Sequence, residues 1–256
     1  MNNHEIDFDI YGSELQYVTI TLDPQETVVA EAGHIMMMEQ GIEMETIFGD
    51  GSNQGKNGFL GKLAGAGKRV LTGESMFMTA FTNEATERKT VSFAAPYPGK
   101  IVPFDLQAYD GKIICQKDAF LCAAKGVSIG IALQKKIGTA IFGGEGFIMQ
   151  KLEGDGLTFI HAGGTLVKKE LQPGEVLRVD TGCLVAMTQD VNYSVQVIKS
   201  VKTALFGEGL FMATLEGPGT VWLQSLPFSR LASKVVAAGG GGKTSSGAGS
   251  LLDLLD

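Results

Sequence analysis

The sequence has 256 residues, of which 44% are hydrophobic and 19% are charged, with a formal net charge of −7. This composition is typical of a globular protein that can bury a core without disulfide bonds or structural metals. The acidic balance argues against non-specific binding to nucleic acid.

The ends and the cysteines favour a protein of a reducing compartment. The segment MNNHEIDFDI has neither the basic nor the apolar region of a signal peptide, and no apolar run is long enough to span a membrane. The odd set of Cys115, Cys122 and Cys183 shows no CxxC spacing, so we expect small buried residues rather than disulfides or zinc ligands. The sequence therefore predicts a cytoplasmic protein.

Strand patterns dominate the chain from its start to residue 226. Short segments rich in β-branched and aromatic residues are separated by turn pairs such as Asp110-Gly111 and Pro173-Gly174. The predicted strands are residues 18–22, 26–32, 43–48, 89–95, 156–162, 175–180, 193–198, 210–215 and 220–226. Short strands at regular spacing predict an all-β sandwich or barrel.

Internal similarity indicates how these strands are organised. Aligning residues 144–161 with 207–224, an offset of 63, gives eight identities in eighteen positions, and a weaker copy begins at Gly73. A second motif, residues 174–189, aligns with 111–126 at the same offset and also with 25–40. One offset for two motifs indicates duplication of a whole segment.

We therefore predict one all-β domain, residues 1–235, with few short helices. It is built of three duplicated β units (about 17–98, 99–169 and 170–232) in a pseudo-threefold, double-stranded β-helix-like arrangement. Each unit has too few strands to cover its own apolar face, and three units can cover one another. Residues 236–256 are predicted to be a flexible Gly/Ser-rich tail, whose ending LLDLLD offers Leu251, Leu252, Leu254 and Leu255 as a candidate docking peptide.

Candidate chemistry is sparse. His34 aligns with Phe120 and Cys183, so we expect a satisfied histidine in or near the core; the alternative is a cupin-like small-ligand or metal site near His34. The run Met36-Met37-Met38 is expected to pack in the core, with a soft binding groove as the alternative. No GxSxG motif or Ser/His/Asp set is evident, so the sequence predicts no catalytic residue and no cofactor.

Basic residues precede the GE motif in all three units. They are Lys62, Lys68, Arg69, Lys135, Lys136, Lys199 and Lys202. Threefold symmetry would bring them to one end of the molecule, where they could contact an anionic ligand, an acidic partner or a lipid surface. The alternative is a solvated rim.

Several segments in order resemble a known family. GESMFMTAF, GEGFIMQKLEG and GEGLFMATLEGPGTVWLQSLPFSRLA resemble the bacterial and archaeal family whose fungal mitochondrial members are named for altered inheritance of mitochondria, over about residues 5–235. The resemblance implies an all-β fold similar to the tryptophan RNA-binding attenuation protein. It implies no established activity, cofactor or catalytic residues.

Together these features favour a noncatalytic binding or scaffold module that assembles with itself, with another protein or at a membrane surface. The alternative is the cupin-like site near His34. A third interpretation, RNA binding, predicts salt-sensitive complexes; fold likeness does not support it, and nucleic acid is not the expected partner.

Overall fold

The protein is described by a computed structural model that covers residues 4–48, 77–135, 147–198 and 210–239. These ranges contain nineteen strands, four 3-10 turns and one α-helix. The strands are β1 (Asp7–Tyr11), β2 (Tyr17–Leu22), β3 (Thr27–Ala30), β4 (Ile35–Met38), β5 (Ile42–Phe48), β6 (Phe77–Asn83), β7 (Lys89–Ala94), β8 (Gly99–Asp105), β9 (Lys112–Gln116), β10 (Phe120–Ala124), β11 (Ser128–Lys135), β12 (Phe147–Glu153), β13 (Leu157–Gly163), β14 (Leu166–Leu171), β15 (Val176–Asp180), β16 (Leu184–Thr188), β17 (Asn192–Ile198), β18 (Leu210–Glu216) and β19 (Gly219–Gln224). The helix is α1 (Phe228–Gly239).

The all-β fold class is confirmed, and local patterning explains it. In β2, Val18, Ile20 and Leu22 are buried, while the residues between them are partly exposed. Alternation of this kind places one face of a strand on the core and the other towards solvent. Each strand predicted from the sequence corresponds to an observed strand, with ends that differ by at most a few residues.

Pairing joins distant parts of the chain. The described strands form two six-stranded sheets, β5-β6-β3-β10-β13-β8 and β11-β12-β9-β16-β19-β14, with a four-stranded sheet, β1-β2-β7-β4, and a three-stranded sheet, β15-β18-β17. Each six-stranded sheet takes three strands from an earlier and three from a later part of the chain. We call the pairing between two such halves a seam: the first seam is β3 with β10, and the second is β9 with β16.

The two seams share one register. Ala123 faces Val29 in the first seam, and Ala186 faces Cys115 in the second. The motif alignment makes Ala123 equivalent to Ala186, and Val29 equivalent to Cys115. The pairing therefore repeats residue for residue, as triplication predicts, although the three-unit division itself remains a prediction.

Three short turns carry the chain between sheets. Ala32–His34 connects β3 to β4, Lys117–Ala119 connects β9 to β10, and Thr181–Cys183 connects β15 to β16. All three lie at aligned positions in the motif that the sequence showed to recur. Each turn places the strand before it and the strand after it in different sheets, which brings successive units together.

The helix α1 follows β19 and is fastened beside the Thr181–Cys183 turn. Asp180 accepts a hydrogen bond from the backbone N–H of Gly182 at 2.8 Å, and the Arg230 guanidinium lies 3.4 Å from the same carboxylate. The helix continues to Gly239, four residues into the segment predicted to be flexible. None of the helical segments in the described ranges is long and apolar enough to cross a lipid bilayer.

Candidate functional site

Most of the residues proposed as contacts lie outside the described residues. This holds for Lys62, Lys68, Arg69, Lys136, Lys199, Lys202, Leu251, Leu252, Leu254 and Leu255. Lys135 is the last residue of β11. An anionic-surface contact and a docking tail therefore remain predictions.

The methionine run forms an exposed strand at a sheet edge. Met36, Met37 and Met38 are 51%, 50% and 44% exposed. Their aligned counterparts are at most 1% exposed: Cys122, Ala123 and Ala124 in β10, and Val185, Ala186 and Met187 in β16. The prediction of core packing for the three methionines is wrong, because β10 and β16 have a neighbour on each side whereas β4 ends its sheet beside β7.

The strand β15 is the matching edge at the other end of the repeat. Its counterparts β3 and β9 are each paired on both sides, whereas β15 pairs with β18 and ends the three-stranded sheet. Val176 is 57% exposed, and Arg178 is also exposed. We call β4 and β15 the open edges, because within the described ranges each lacks the seam partner that its counterparts have.

Open edges of this type can pair with another strand. They present backbone N–H and C=O groups without ladder partners, which is the basis of recognition by strand addition. Methionine side chains adapt to uneven apolar surfaces because the thioether is flexible and polarisable. The arrangement can therefore hold an extended segment of polypeptide.

A second candidate site surrounds two histidines, and we call it the imidazole site. His161 on β13 is 1% exposed, and its ring lies edge-on to Tyr97 with 4.4 Å between centroids. The Tyr97 ring in turn lies 5.4 Å from that of Phe228, the first residue of α1. In the described part of the chain neither ring nitrogen of His161 makes a well-formed hydrogen bond, although the Tyr97 backbone lies close enough to interact with the ring, and Nδ1 of His34 has no partner.

Burial governs the protonation of this site. It lowers the pKa of His161 to about 4, with nearby His34 acting in the same direction and the Tyr97 backbone partly opposing it. Burial also lowers the pKa of His34, against a backbone hydrogen bond with Leu121. Both rings are therefore neutral at pH 7. His34, predicted to be a satisfied histidine in or near the core, has a backbone hydrogen bond with Leu121, whereas its Nδ1 has no partner in the described part of the chain.

A glycine allows the close packing around His161. A Cβ atom at Gly99 would lie 2.6 Å from Nε2 of His161 and 2.1 Å from the carbonyl oxygen of Ala162. No side chain larger than hydrogen fits between β8 and the imidazole at this point. Burial also raises the pKa of Tyr97 to about 12, with Asp118 acting in the same direction, so the phenol stays neutral.

The cysteines are poor candidates for nucleophiles. Burial raises the pKa of Cys115 to about 12 and that of Cys122 well above its usual value, so both stay as thiols at neutral pH. Cys183 is only half-buried, 3.8 Å from Arg230, so the expectation of burial is wrong there. Across the described ranges no three histidine, cysteine or carboxylate side chains converge closely enough to hold a metal ion.

Sequence reasoning missed the open edges. Arg178 aligns with Val29 and Cys115, two apolar residues at internal seams. A charged residue at an aligned position that is apolar in the other two copies of the motif is a signal that this strand ends a sheet, because charged residues commonly protect edges from unwanted pairing.

The family model described as Mitochondrial biogenesis AIM24 matches residues 8–226. The chain belongs to this family. The AIM24 match begins in β1 and ends just after β19, so it includes both seams and both open edges, and it confirms the resemblance seen in the sequence.

The solved structures and the curated proteins add the following. The chain is similar to a Streptococcus pyogenes protein whose X-ray crystal structure comes from a structural genomics consortium. The TM-score is 0.72 at 20% identity, over 91% of this chain and 100% of that one. At this identity the likeness shows the fold alone. No curated protein is significantly similar in sequence.

Proposed function

We propose that this protein is a noncatalytic binding or scaffold module that holds its partner along the open edge β4. The observation that carries the proposal is the exposure of Met36, Met37 and Met38 at positions whose counterparts are completely buried. A strand that is internal twice and open once marks a place where a further strand fits.

Charge also shapes what this edge accepts. Glu39 follows β4, and its carboxylate accepts hydrogen bonds from the backbone N–H and the hydroxyl of Thr90, at 2.6 and 2.9 Å. Glu43 and Glu45 are exposed on β5, the next strand in the chain, which pairs with β6 in a different sheet. A segment that brings a basic side chain close to Glu39 is favoured here over one that brings an acidic side chain there.

Other parts of the proposal rest on less. Membership of the AIM24 family supports a role described as mitochondrial biogenesis for its relatives, and the name states no reaction. A cytoplasmic location and a contact of the basic links with an anionic surface are kept as proposals from the sequence.

A synthetic β15 peptide tests strand addition directly. A fluorescent peptide of sequence GEVLRVDT, residues 174–181, contains β15, whose counterparts β3 and β9 pair with the counterparts of β4 at the two seams. We expect saturable binding by fluorescence anisotropy, weakened by about tenfold or more in Met37→Lys, because a charge then faces the added strand.

Two controls make the result specific. Met44→Lys places the same charge at a 46% exposed methionine on β5, whose aligned strands β11 and β17 are also sheet edges, so binding should be unchanged. A scrambled peptide should bind poorly. Equal loss in both lysine variants, or equal binding of the scrambled peptide, would argue against strand addition at β4.

The imidazole site supports a second candidate function, the binding of a small neutral ligand. The supporting observation is the set of unpartnered buried nitrogens on His34 and His161, since buried polar groups normally have partners. Native mass spectrometry of gently purified protein should show a retained molecule that is missing from His34→Ala and His161→Leu. A wild-type spectrum with only the bare chain contradicts this candidate.

A further inference from the structure

We infer that the open edge β4 of one copy of this chain pairs with the open edge β15 of a second copy, completing a composite sheet between two molecules. The inference rests on the function proposed for β4 and names its partner. It concerns the four-stranded and the three-stranded sheet, which have fewer strands than the two six-stranded sheets.

The composition of the sheets carries the first step. One half of each six-stranded sheet, β5-β6-β3 or β11-β12-β9, corresponds in the alignment to the three-stranded sheet β17-β18-β15. The other half, β10-β13-β8 or β16-β19-β14, corresponds to β4-β7-β2 of the four-stranded sheet. The two short sheets are therefore the two halves of a third composite sheet, separated at β4 and β15.

The register of the missing seam follows from the two that exist. Ala124 faces Val28 and Met187 faces Ile114 at the internal seams. The aligned residues of the open edges are Met38 and Leu177, and one step along the strands the pair is Met37 and Arg178. Antiparallel pairing in this register buries the exposed methionines against a strand of similar length.

Charges distinguish this seam from the other two. Arg178 would lie diagonally opposite Glu39, within reach of a long side chain across two strands. The hydrogen bonds from Thr90 lower the pKa of Glu39 and keep it ionised at neutral pH. The equivalent positions at the first seam, Val29 and Lys125, offer no such opposite pair, so the open edges carry a complementarity of their own.

A second copy supplies what one chain leaves unpaired. In one chain, β4 and β15 each form the edge of a separate sheet and do not pair with each other. The contact joins different strands of the two copies: reciprocal pairing gives a closed twofold dimer, whereas successive pairing is heterologous and gives a ring or a fibre.

Cysteine cross-linking of separate variants tests the pairing. Met37→Cys and Arg178→Cys are made as single variants in a Cys183→Ser background, which leaves only the buried native thiols. Directly opposite residues have Cβ atoms close enough for a disulfide after small adjustments. We expect a covalent dimer on non-reducing gels when the two variants are mixed and oxidised, and little dimer from either alone.

Matched variants decide the alternatives. Mixing Met44→Cys with Arg178→Cys should give no dimer, because Met44 lies on β5. A double Met37→Cys/Arg178→Cys chain that forms only an intrachain disulfide would show closure within one molecule and overturn the inference. Absence of dimer from the mixture also overturns it; if the β15 peptide still binds, strand addition at β4 survives and the partner is a different protein.

Light scattering provides a test without cysteines. Wild-type protein should have at least twice the mass of one chain, Arg178→Glu should fall to the single-chain mass, and the swapped Glu39→Arg/Arg178→Glu double variant should recover the assembly. Circular dichroism confirms that each variant is folded. A single-chain mass for the wild type at high concentration overturns the inference.

Discussion

Replacing Trp222 with alanine is expected to lower the free energy of unfolding by about 3–5 kcal/mol. Trp222 is 3% exposed on β19, with its ring edge-on to Phe104 at 4.9 Å and to Tyr109 at 5.6 Å. Removal of the indole leaves a cavity in the core cluster between the six-stranded sheets and deletes both aromatic contacts. Urea unfolding followed by far-ultraviolet circular dichroism measures the loss of stability. Tryptophan fluorescence cannot be used, because Trp222 is the only tryptophan and the variant lacks it.

Two further variants calibrate this result. Trp222→Phe keeps a ring and should lose about 1–3 kcal/mol, less than the alanine variant. Met44→Ala, at a 46% exposed side chain, should change stability by less than about 0.5 kcal/mol. A loss below about 1 kcal/mol for Trp222→Ala would mean that this cluster contributes little to the fold.

Acid is expected to destabilise the protein through His161. Burial holds its folded-state pKa at about 4, below the value of 6.5 for an ordinary histidine. Between these values the unfolded chain binds a proton that the folded chain does not, so stability is full above pH 6.5 and falls as the pH drops towards 4. The shift corresponds to about 3 kcal/mol in total, because each unit is worth about 1.4 kcal/mol.

His161→Leu isolates this contribution. The variant has no proton to gain at this position and no unpartnered nitrogens, so its stability should change by about 2–3 kcal/mol less than that of the wild type between pH 7 and pH 4.5. Urea titrations at both pH values give the free energy of unfolding of each protein. The contributions of the other carboxyl and imidazole groups are the same in both proteins and cancel in the comparison. Parallel pH profiles for the two proteins would contradict a neutral, desolvated His161.

Local sequence pattern was sufficient to place nine of the nineteen strands in the described ranges. The alternation in residues 175–180 predicted β15, and the apolar runs at 156–162 and 220–226 predicted β13 and β19. Strand identity depends on side chains two residues apart, which can be read from neighbours in sequence. The sequence predicted few short helices without placing them, and α1 lies across the end of the predicted domain and the start of the predicted tail.

The candidate sites depend on long-range pairing and so were predicted only in part. The methionine run reads the same in a central strand as in an edge strand, and only the position of β4 beside β7 decides that it is exposed. His34 was singled out from its residue type. The contact of His161 with Tyr97 could not be, because it requires β13 and the segment before β8 to pair in one particular register.

The seams have a consequence for how such a protein can evolve. Each six-stranded sheet takes half its strands from a distant stretch of chain, so none of the three predicted units would be complete without its neighbours. Recombination that exchanged the middle predicted unit between relatives would have to match both seams, and exchange of an outer unit would have to match one. Substitutions at facing positions such as Ala186 and Cys115 should therefore be inherited as correlated sets rather than one at a time.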